Sequence, residues 1–430
     1  MSGTIASPPD FVQSAPACRR AGLAAQLTPM GILRFLEPLR QEKRLAPLLV
    51  MIACIMMGSG LVAPILSLYA QTFGVAGALV GTLITVFGIG RLLANLPSGY
   101  LSQRYGRRPL LVGGPLIVAA ASVGAALAGD FTALLVWRFL QGVGSGVYLT
   151  ASLAAMADIS PPNRRARNMA LYQSSLQLGA SVGPAVGGYA AHYFGFASVF
   201  WFYAGVALLA SAAAVFSFED TLNKTEARKP LPSSVSRRGL MTAPFTAVCI
   251  LSCVVFFTRT ATLFQLIPIL GAETFGLDLG AIGLAVTLSA FMNFAMLPIT
   301  TPLIEHFGPR ANVLWSTLAT AVALATLYLS SSQIGFWLAV VMLGAATGVN
   351  YPALSAFTIS ALPRERFGPG MGMQRTFGDV GFVFGPVVVG ALSDFTGGAH
   401  LAGVSLNIAL LGAAALVFAV GSRGERLESR

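Results

Sequence analysis

Five ionisable side chains lie inside long apolar stretches of this sequence. They are Arg91, Arg138, Arg259, Arg375 and Asp379. A charge held in the hydrocarbon of a bilayer costs roughly 3 kcal/mol or more, so it normally faces a water-filled space or an opposite charge. These residues are therefore the first candidates for a functional site.

Arg375 and Asp379 are four residues apart, which places them on one face of a helix and allows an ion pair. One hypothesis is that Asp379 carries a proton, with Arg375 adjusting how readily the carboxylate accepts it. The alternative is a structural pair, because a neighbouring arginine stabilises the ionised carboxylate. The spacing leaves both open.

The four arginines outnumber the one aspartate, so the apolar stretches carry a positive excess. This excess argues against a strictly cationic substrate and favours an anionic, zwitterionic or neutral amphipathic one. Polar and charged residues of the same stretches are candidates for the lining of a substrate cavity. They are Arg91, Gln141, Tyr148, Gln173, Gln177, Arg259, Gln265, Asn293, Asn350 and Tyr351.

The composition identifies the elements that hold these residues as membrane helices. Of 430 residues, 55% are hydrophobic and only 10% charged, against about 25% charged in a soluble domain. Runs of about 20 residues suffice to cross the hydrocarbon layer as helices. The predicted spans are residues 46–70, 76–102, 109–128, 131–156, 167–191, 195–218, 242–270, 278–303, 311–330, 334–360, 369–392 and 400–421.

The distribution of basic residues predicts the orientation of the chain. All but four of the 27 lysines and arginines lie in the tails or in alternate loops, which excludes a nucleic-acid-binding face despite the net charge of +11. By the positive-inside rule both termini are cytoplasmic, as an even number of spans requires. We expect a multi-pass protein of the cell membrane.

A repeat divides the chain into two halves. Gly142, Gly183 and Pro184 recur 202 residues later as Gly344, Gly385 and Pro386. The predicted organisation is therefore a disordered cytoplasmic tail (1–44), a six-helix bundle (45–218), a cytoplasmic linker (219–241), a second six-helix bundle (242–421) and a short tail (422–430). Translation could also begin at Met30. Two parallel repeats with a site between them are the arrangement of carriers that work by alternating access.

A basic motif follows the second predicted helix. It reads "GYLSQRYGRRPLL" from Gly99 to Leu111. It resembles the signature loop between helices two and three of the major facilitator superfamily, with Gln103 where the family has Asp. The resemblance implies a cytoplasmic gate, in which Asp158 could pair with Arg107 and replace part of the missing charge. The gate residues are Gly99, Gln103, Arg104, Gly106, Arg107, Arg108 and Asp158.

Two further motifs carry the resemblance. "WRFLQGVGSG" from Trp137 resembles the family's fourth-helix motif, which implies that Arg138 assists proton transfer. "GASVGPAVGG" is similar to the fifth-helix motif of exporters, above all of 12-helix drug:proton antiporters; its residues are Gly179, Gly183, Pro184, Gly187 and Gly188. Close helix packing is the plainer interpretation of such glycines.

The resemblance implies an all-α integral membrane protein of twelve helices in two pseudo-symmetric halves. The favoured function is proton-coupled efflux of small amphipathic compounds, with Asp379, Arg375 and Arg138 in proton coupling. The alternative is an uptake or exchange carrier for an organic anion or metabolite. An enzyme is disfavoured because His192, His306 and His400 lie at helix ends with no nucleophile or base nearby. We expect no cofactor, metal or nucleic-acid partner, and a monomer in the bilayer.

Overall fold

A computed structural model of the protein describes residues 45–75, 77–161, 165–217, 242–362, 367–396 and 400–422. The predicted tails (all but Ser422), the whole predicted linker and the second start at Met30 lie outside these residues. Within them the regular elements are all helical.

Six helices form the first half. They are α1 (Leu45–Val62, continued by Leu66–Gln71), α2 (Ala78–Tyr105), α3 (Arg108–Ala126), α4 (Phe131–Ile159), α5 (Arg165–Phe194) and α6 (Phe196–Ser217). The second half consists of α7 (Ala243–Ala261, Thr262–Leu266 and Ile267–Glu273), α8 and α9 (both within Leu279–Leu329), α10 (Gln333–Ser360), α11 (Phe367–Phe395) and α12 (His400–Gly421). The predicted spans match these helices to within a few residues.

Ten of the described helices are long and apolar enough to cross a membrane, and one of them accounts for two crossings. Leu279–Leu329 has 51 residues; as one straight helix it would be about 76 Å long, more than twice the hydrocarbon thickness. The backbone of Gly308 leaves the helical region with a φ of 78°, and this residue separates α8 from α9. Its equivalent, Gly106, has a φ of 99° between α2 and α3. Such angles favour glycine because it lacks a Cβ.

The helix α5 is absent from these ten because glycine and glutamine lower its hydropathy. It is nevertheless a helix of 30 residues, enclosed on two sides by α1 and α8. The structure therefore supports twelve crossings over the described residues. The loop end of the bundle that contains Gly106 and Gly308 is called the basic end below.

Two helices are distorted at equivalent positions. The helix α1 is interrupted between Val62 and Leu66, near Pro64, and α7 changes to a π-helical turn over Thr262–Leu266. An offset of 202 places one distortion on the other. Beyond it, the final turns of both helices lead to the end opposite the basic end.

The two halves pack against each other through α2 with α11 and through α5 with α8. At Gly188 and Gly283 the backbones of α5 and α8 touch, and an added Cβ at Gly188 would overlap the carbonyl oxygen of Leu279. The equivalent contact brings Gly81 against Pro386. Glycine allows such close approach of helix backbones. We call the end of the bundle with these contacts the closed end.

The fifth-helix motif therefore has two packing faces. Gly179, Gly183 and Gly187 lie against the backbone of α1, whereas Pro184 and Gly188 lie against α8. The same division recurs in α11, where Gly381 and Gly385 contact α7. The motif thus joins neighbours within a half on one face and the opposite half on the other.

We predict that Gly188→Val opens the closed end. The added side chain overlaps α8, and such overpacking costs about 1–3 kcal/mol, which lowers the closed population by about tenfold. The measurement is disulfide cross-linking between cysteines introduced at Gln71 and Glu273, in a protein whose native cysteines are replaced by serine.

The matched control is Gly205→Val, because an added Cβ there meets no atom within 4 Å. Cross-linking should fall with Gly188→Val and stay at the parent level with Gly205→Val. An equal loss in both variants would show that valine acts on the helix itself and not on the contact between the halves.

Candidate functional site

The halves are bridged by polar contacts at three levels, counted from the closed end. At the first level Gln71 Nε2 donates to Glu273 Oε1 at 3.1 Å, and the two residues occupy equivalent positions, 202 residues apart. Asp394 of α11 also caps α2, because its Oδ2 accepts from the backbone N–H of Ala78 at 2.8 Å. One half thus completes a helix terminus of the other.

Two threonines form the second level. The hydroxyl of Thr85 donates to the carbonyl oxygen of Val383, and Thr287 Oγ1 accepts from the backbone N–H of Ala185 at 2.8 Å. Thr85 and Thr287 are equivalent under the 202-residue offset. The proline-containing segments of α5 and α11 are therefore held by threonines from α8 and α2.

The third level contains the one aspartate of the apolar stretches. Arg91 of α2 pairs with Asp379 of α11, with 3.5 Å between Nη2 and Oδ1. On the opposite side Gln177 Nε2 of α5 donates to Asn293 Oδ1 of α8 at 2.6 Å. Adding 202 converts Arg91 to Asn293 and Gln177 to Asp379. The same bridge therefore occurs twice, once as an ion pair and once as a neutral hydrogen bond.

The predicted pairing of Asp379 with Arg375 is wrong for this structure. The ion-pair partner of Asp379 is Arg91, and Arg375 forms no ion pair among the described residues. Helical spacing allows the Arg375 contact, but a partner on the facing helix competes for the carboxylate. Arg375 still lies close enough to Arg91, Tyr172 and Tyr351 to act on them electrostatically.

Arg91, Arg259, Arg375 and Asp379 all lie close enough to Tyr351 of α10 to act on it electrostatically. The side chains of Arg91 and Asp379 are 21% and 17% exposed, Arg259 is half-buried and Arg375 is exposed. We call these five residues the central cluster. Gln173 lies one turn from Gln177 on the exposed side of α5, so the structure brings the larger part of the predicted cavity residues between the halves.

Four predicted cavity residues lie inside a half instead. Gln141, Tyr148 and Asn350 are completely buried and Gln265 is 2% exposed. Gln141 Nε2 donates to Ser122 Oγ at 2.7 Å, and Asn350 Nδ2 donates to Thr317 Oγ1 at 3.0 Å. Both amide atoms of Gln141 are hydrogen-bonded, whereas Asn350 Oδ1 has no hydrogen-bond partner among the described residues. Complete burial removes both amides from the cavity wall. Gln265 lies in the π-helical turn of α7.

Arg138 is held within the first half, 6% exposed. Its Nη1 donates to Gln141 Oε1 at 2.7 Å, its Nε donates to the Leu83 carbonyl oxygen at 3.4 Å, and its guanidinium lies 4.5 Å from the ring centre of Phe87. These contacts anchor α4 to α2. Its role in proton transfer stays a prediction.

At the basic end the predicted Arg107–Asp158 pair is present. The Arg107 Nε and Asp158 Oδ2 atoms are 3.0 Å apart, and Arg107 Nη1 also donates to the Ser102 carbonyl oxygen at 2.6 Å. Arg108 donates to the Val215 carbonyl oxygen at 2.7 Å, and the Arg104 guanidinium lies 5.4 Å from the ring centre of Tyr105. Gly99 lies loosely against Thr150, and Gln103 is exposed. These contacts join α2, α3, α4 and α6 of the first half.

Comparison with known proteins identifies the family. The sequence profile of the Major Facilitator Superfamily matches residues 48–281 and 248–429, which together cover most of the chain. The chain belongs to the Major Facilitator Superfamily. It is therefore a membrane transporter and not an enzyme.

Individual relatives of this Major Facilitator Superfamily transporter are distant. It is 23% identical over 350 residues to an uncharacterised MFS-type transporter of Methanocaldococcus jannaschii, covering 80% of this chain and 90% of the relative. It is 24% identical over 349 residues to the quinolone resistance protein NorA of Staphylococcus aureus (strain Mu50), covering 79% and 87%.

The fold matches solved transporters of the same family. A bacterial homologue of the human lysosomal transporter Spinster, in an inward-facing and occupied conformation, superimposes with a TM-score of 0.74 at 15% identity, covering 88% of this chain and 96% of that one. At this identity the likeness concerns the fold alone. It agrees with the all-helical architecture of two six-helix halves.

Because Arg91 and Asp379 form an ion pair across the halves, the effects of their substitution on stability should be coupled. The effects of substituting Arg375 and Asp379 should not be. We expect Arg91→Gln and Asp379→Asn each to lower the thermal stability of the purified protein, because each leaves the other charge uncompensated in a partly buried site. The double variant should be less destabilised than the sum, with a coupling energy of about 0.5–3 kcal/mol.

The comparison cycle uses Arg375→Gln with Asp379→Asn. Those two changes should add, since Arg375 is not bonded to the carboxylate. If the Arg91 and Asp379 changes were additive and the Arg375 and Asp379 changes were coupled, the ion pair of Asp379 would be with Arg375 within α11.

Proposed function

We propose that this transporter exports small amphipathic compounds, drugs or metabolites, from the cell by alternating access, in exchange for protons. The observation that carries the proposal is the Arg91–Asp379 pair, which joins the two moving halves. Protonation of Asp379 removes one charge of this bridge and weakens the attraction between α2 and α11. A proton can thereby change the relative stability of the two openings of the carrier.

The neutral counterpart of the pair explains why one site suffices for coupling. The Gln177–Asn293 hydrogen bond does not change its charge with pH, so it holds α5 to α8 in either protonation state of Asp379. Only the α2–α11 side responds to the proton. The carrier thus has one titratable side and one side that retains its contact, which favours a rocking motion.

Three further observations support export as the direction. The fifth-helix motif packs on both its faces as close approach requires. The relative NorA is named for quinolone resistance. With both termini in the cytoplasm of a cell-membrane protein, as the basic loops favour, the basic end faces the cytoplasm and the closed end faces outwards. A cytoplasmic compound then reaches the central cluster from the basic end.

An uptake or exchange carrier for an organic anion is the second candidate. The positive excess of the central cluster favours it, because three arginines there face one aspartate. Transport direction in intact cells distinguishes the two candidates. In both, the carrier works as a monomer, since each chain contains its own pair of halves.

We predict that Asp379→Asn abolishes proton-driven export while the protein still reaches the membrane. The asparagine cannot gain or lose a proton, so a pH gradient can no longer act on the carrier through this residue. The measurement is accumulation of a fluorescent substrate in everted vesicles energised by a pH gradient, with protein amount checked by immunoblotting. Undiminished accumulation would sink the assignment of Asp379.

A sharper variant copies the neutral bridge onto the charged side. Arg91→Asn combined with Asp379→Gln gives α2 and α11 the same residue pair that α8 and α5 already have. We expect this protein to fold and to equilibrate substrate across the membrane, but not to concentrate it. The control is Arg310→Gln, which removes a charge outside the central cluster, where Arg310 contacts Ser422 and Ala419, and which should retain concentrative, proton-dependent transport.

A further inference from the structure

The central cluster has more positive charge than its own groups can balance. Arg91, Arg259 and Arg375 contribute three positive charges and Asp379 contributes one negative charge. The cluster therefore has a formal excess of two positive charges among the described residues. Asp379 is already engaged by Arg91. The other two arginines therefore remain available to a ligand.

Arg259, which is half-buried, and Arg375, which is exposed, differ in this respect from the buried Arg138 of α4. Neither forms a hydrogen bond or ion pair with a described residue, whereas the guanidinium of Arg138 is bonded to Leu83 and Gln141. An arginine serving only to hold helices together is expected to find such partners. A guanidinium left without them in a site partly shielded from water favours an anion, because its fork of donors matches a carboxylate.

Aromatic rings border the same space. The rings of Phe256 and Tyr351 meet edge to face, with centres 4.6 Å apart, and the Arg91 guanidinium lies 4.9 Å from the ring centre of Phe382. Arg375 also acts on Tyr172 of the first half. The rings of Phe256 and Phe382, both partly exposed, thus offer an apolar surface beside these charges, which suits a ligand with an apolar body.

We infer that the central cluster binds amphipathic organic anions, with the acid group of the ligand on Arg375 and Arg259 and its apolar body against Phe256 and Phe382. The inference rests on the proposed function, in which the space between the halves is the substrate site. It narrows the substrate class of that site. It also assigns Arg375 to ligand binding, where the sequence had suggested a partner for Asp379.

The test compares three compounds with one ring system and different charges. They are 1-naphthoate, 1-naphthamide and 1-naphthylmethylammonium, and binding to the purified full-length protein is measured by calorimetry. We expect 1-naphthoate to bind at least about tenfold more tightly than the other two. This comparison needs no variant and therefore does not depend on the folding of one.

Variants then locate the binding group. Arg375→Gln should raise the Kd for 1-naphthoate by about tenfold, the loss of one charge-assisted contact, and leave the Kd for 1-naphthamide unchanged. Arg375→Lys should retain part of the affinity, and Arg259→Gln should behave like Arg375→Gln. The control is Arg310→Gln, which removes the same charge from α9, where Arg310 contacts Ser422 and Ala419.

Equal affinities for the three compounds, tighter binding of the ammonium compound, or no binding of 1-naphthoate at about 1 mM would overturn the inference. So would equal losses for naphthoate and naphthamide in Arg375→Gln. Failure of the proposed function has a different signature. The naphthoate would then bind with the expected dependence on Arg375, while vesicles would show no proton-driven export.

Discussion

The cost of a lone charge away from water governs the centre of this transporter. An arginine or aspartate within the membrane must be paired, hydrogen-bonded or in contact with an aqueous space. Arg138 takes the second option within one half, and Arg91 and Asp379 take the first between the two halves. Arg259 and Arg375 have neither with any residue that the structure describes, so they rely on the third option, and the side chain of Arg375 is exposed.

The internal repeat gives the α2–α11 and α5–α8 interfaces equivalent contacts, so a difference in charge between the two interfaces stands out. Backbone contacts at Gly81 and Gly283, and threonine bridges at Thr85 and Thr287, occur in equivalent places. At the third level the bridging residues occupy equivalent positions, but one bridge is an ion pair and the other is a hydrogen bond between two amides. Duplication supplied the geometry, and substitution placed an ion pair on one side and a neutral pair on the other.

The sequence predicted the elements better than it predicted their contacts. Twelve helices, the break between the halves and the Arg107–Asp158 pair follow from apolar length, a constant offset and charge. The partner of Asp379 could not be derived in this way, because helical spacing proposes Arg375 and only the packing of α2 on α11 brings Arg91 closer. The 202-residue offset did indicate that these positions correspond in the two halves, since it aligns Arg91 with Asn293 and Gln177 with Asp379.

The misplaced cavity residues have a related cause. Tyr148 and Asn350 are completely buried, although both lie on helices that approach the centre. A helix that is apolar around its whole circumference has no periodic pattern to tell which side faces the neighbouring bundle and which faces the cavity. The direction of each polar side chain is fixed by the rotation of its helix, which depends on the packing of all the others.

The distortions of α1 and α7 separate short terminal segments of these helices from their bundles at the closed end. The segments Leu66–Gln71 and Ile267–Glu273 are attached to their bundles through an interrupted helix and a π-helical turn, where backbone hydrogen bonds are irregular and bending costs least. Their tips hold each other through Gln71 and Glu273. They form a pair of flaps whose hinges are separate from the contacts between the halves at Gly81 and Gly188, so the closed end can open in two stages, first at the flaps and then between the halves.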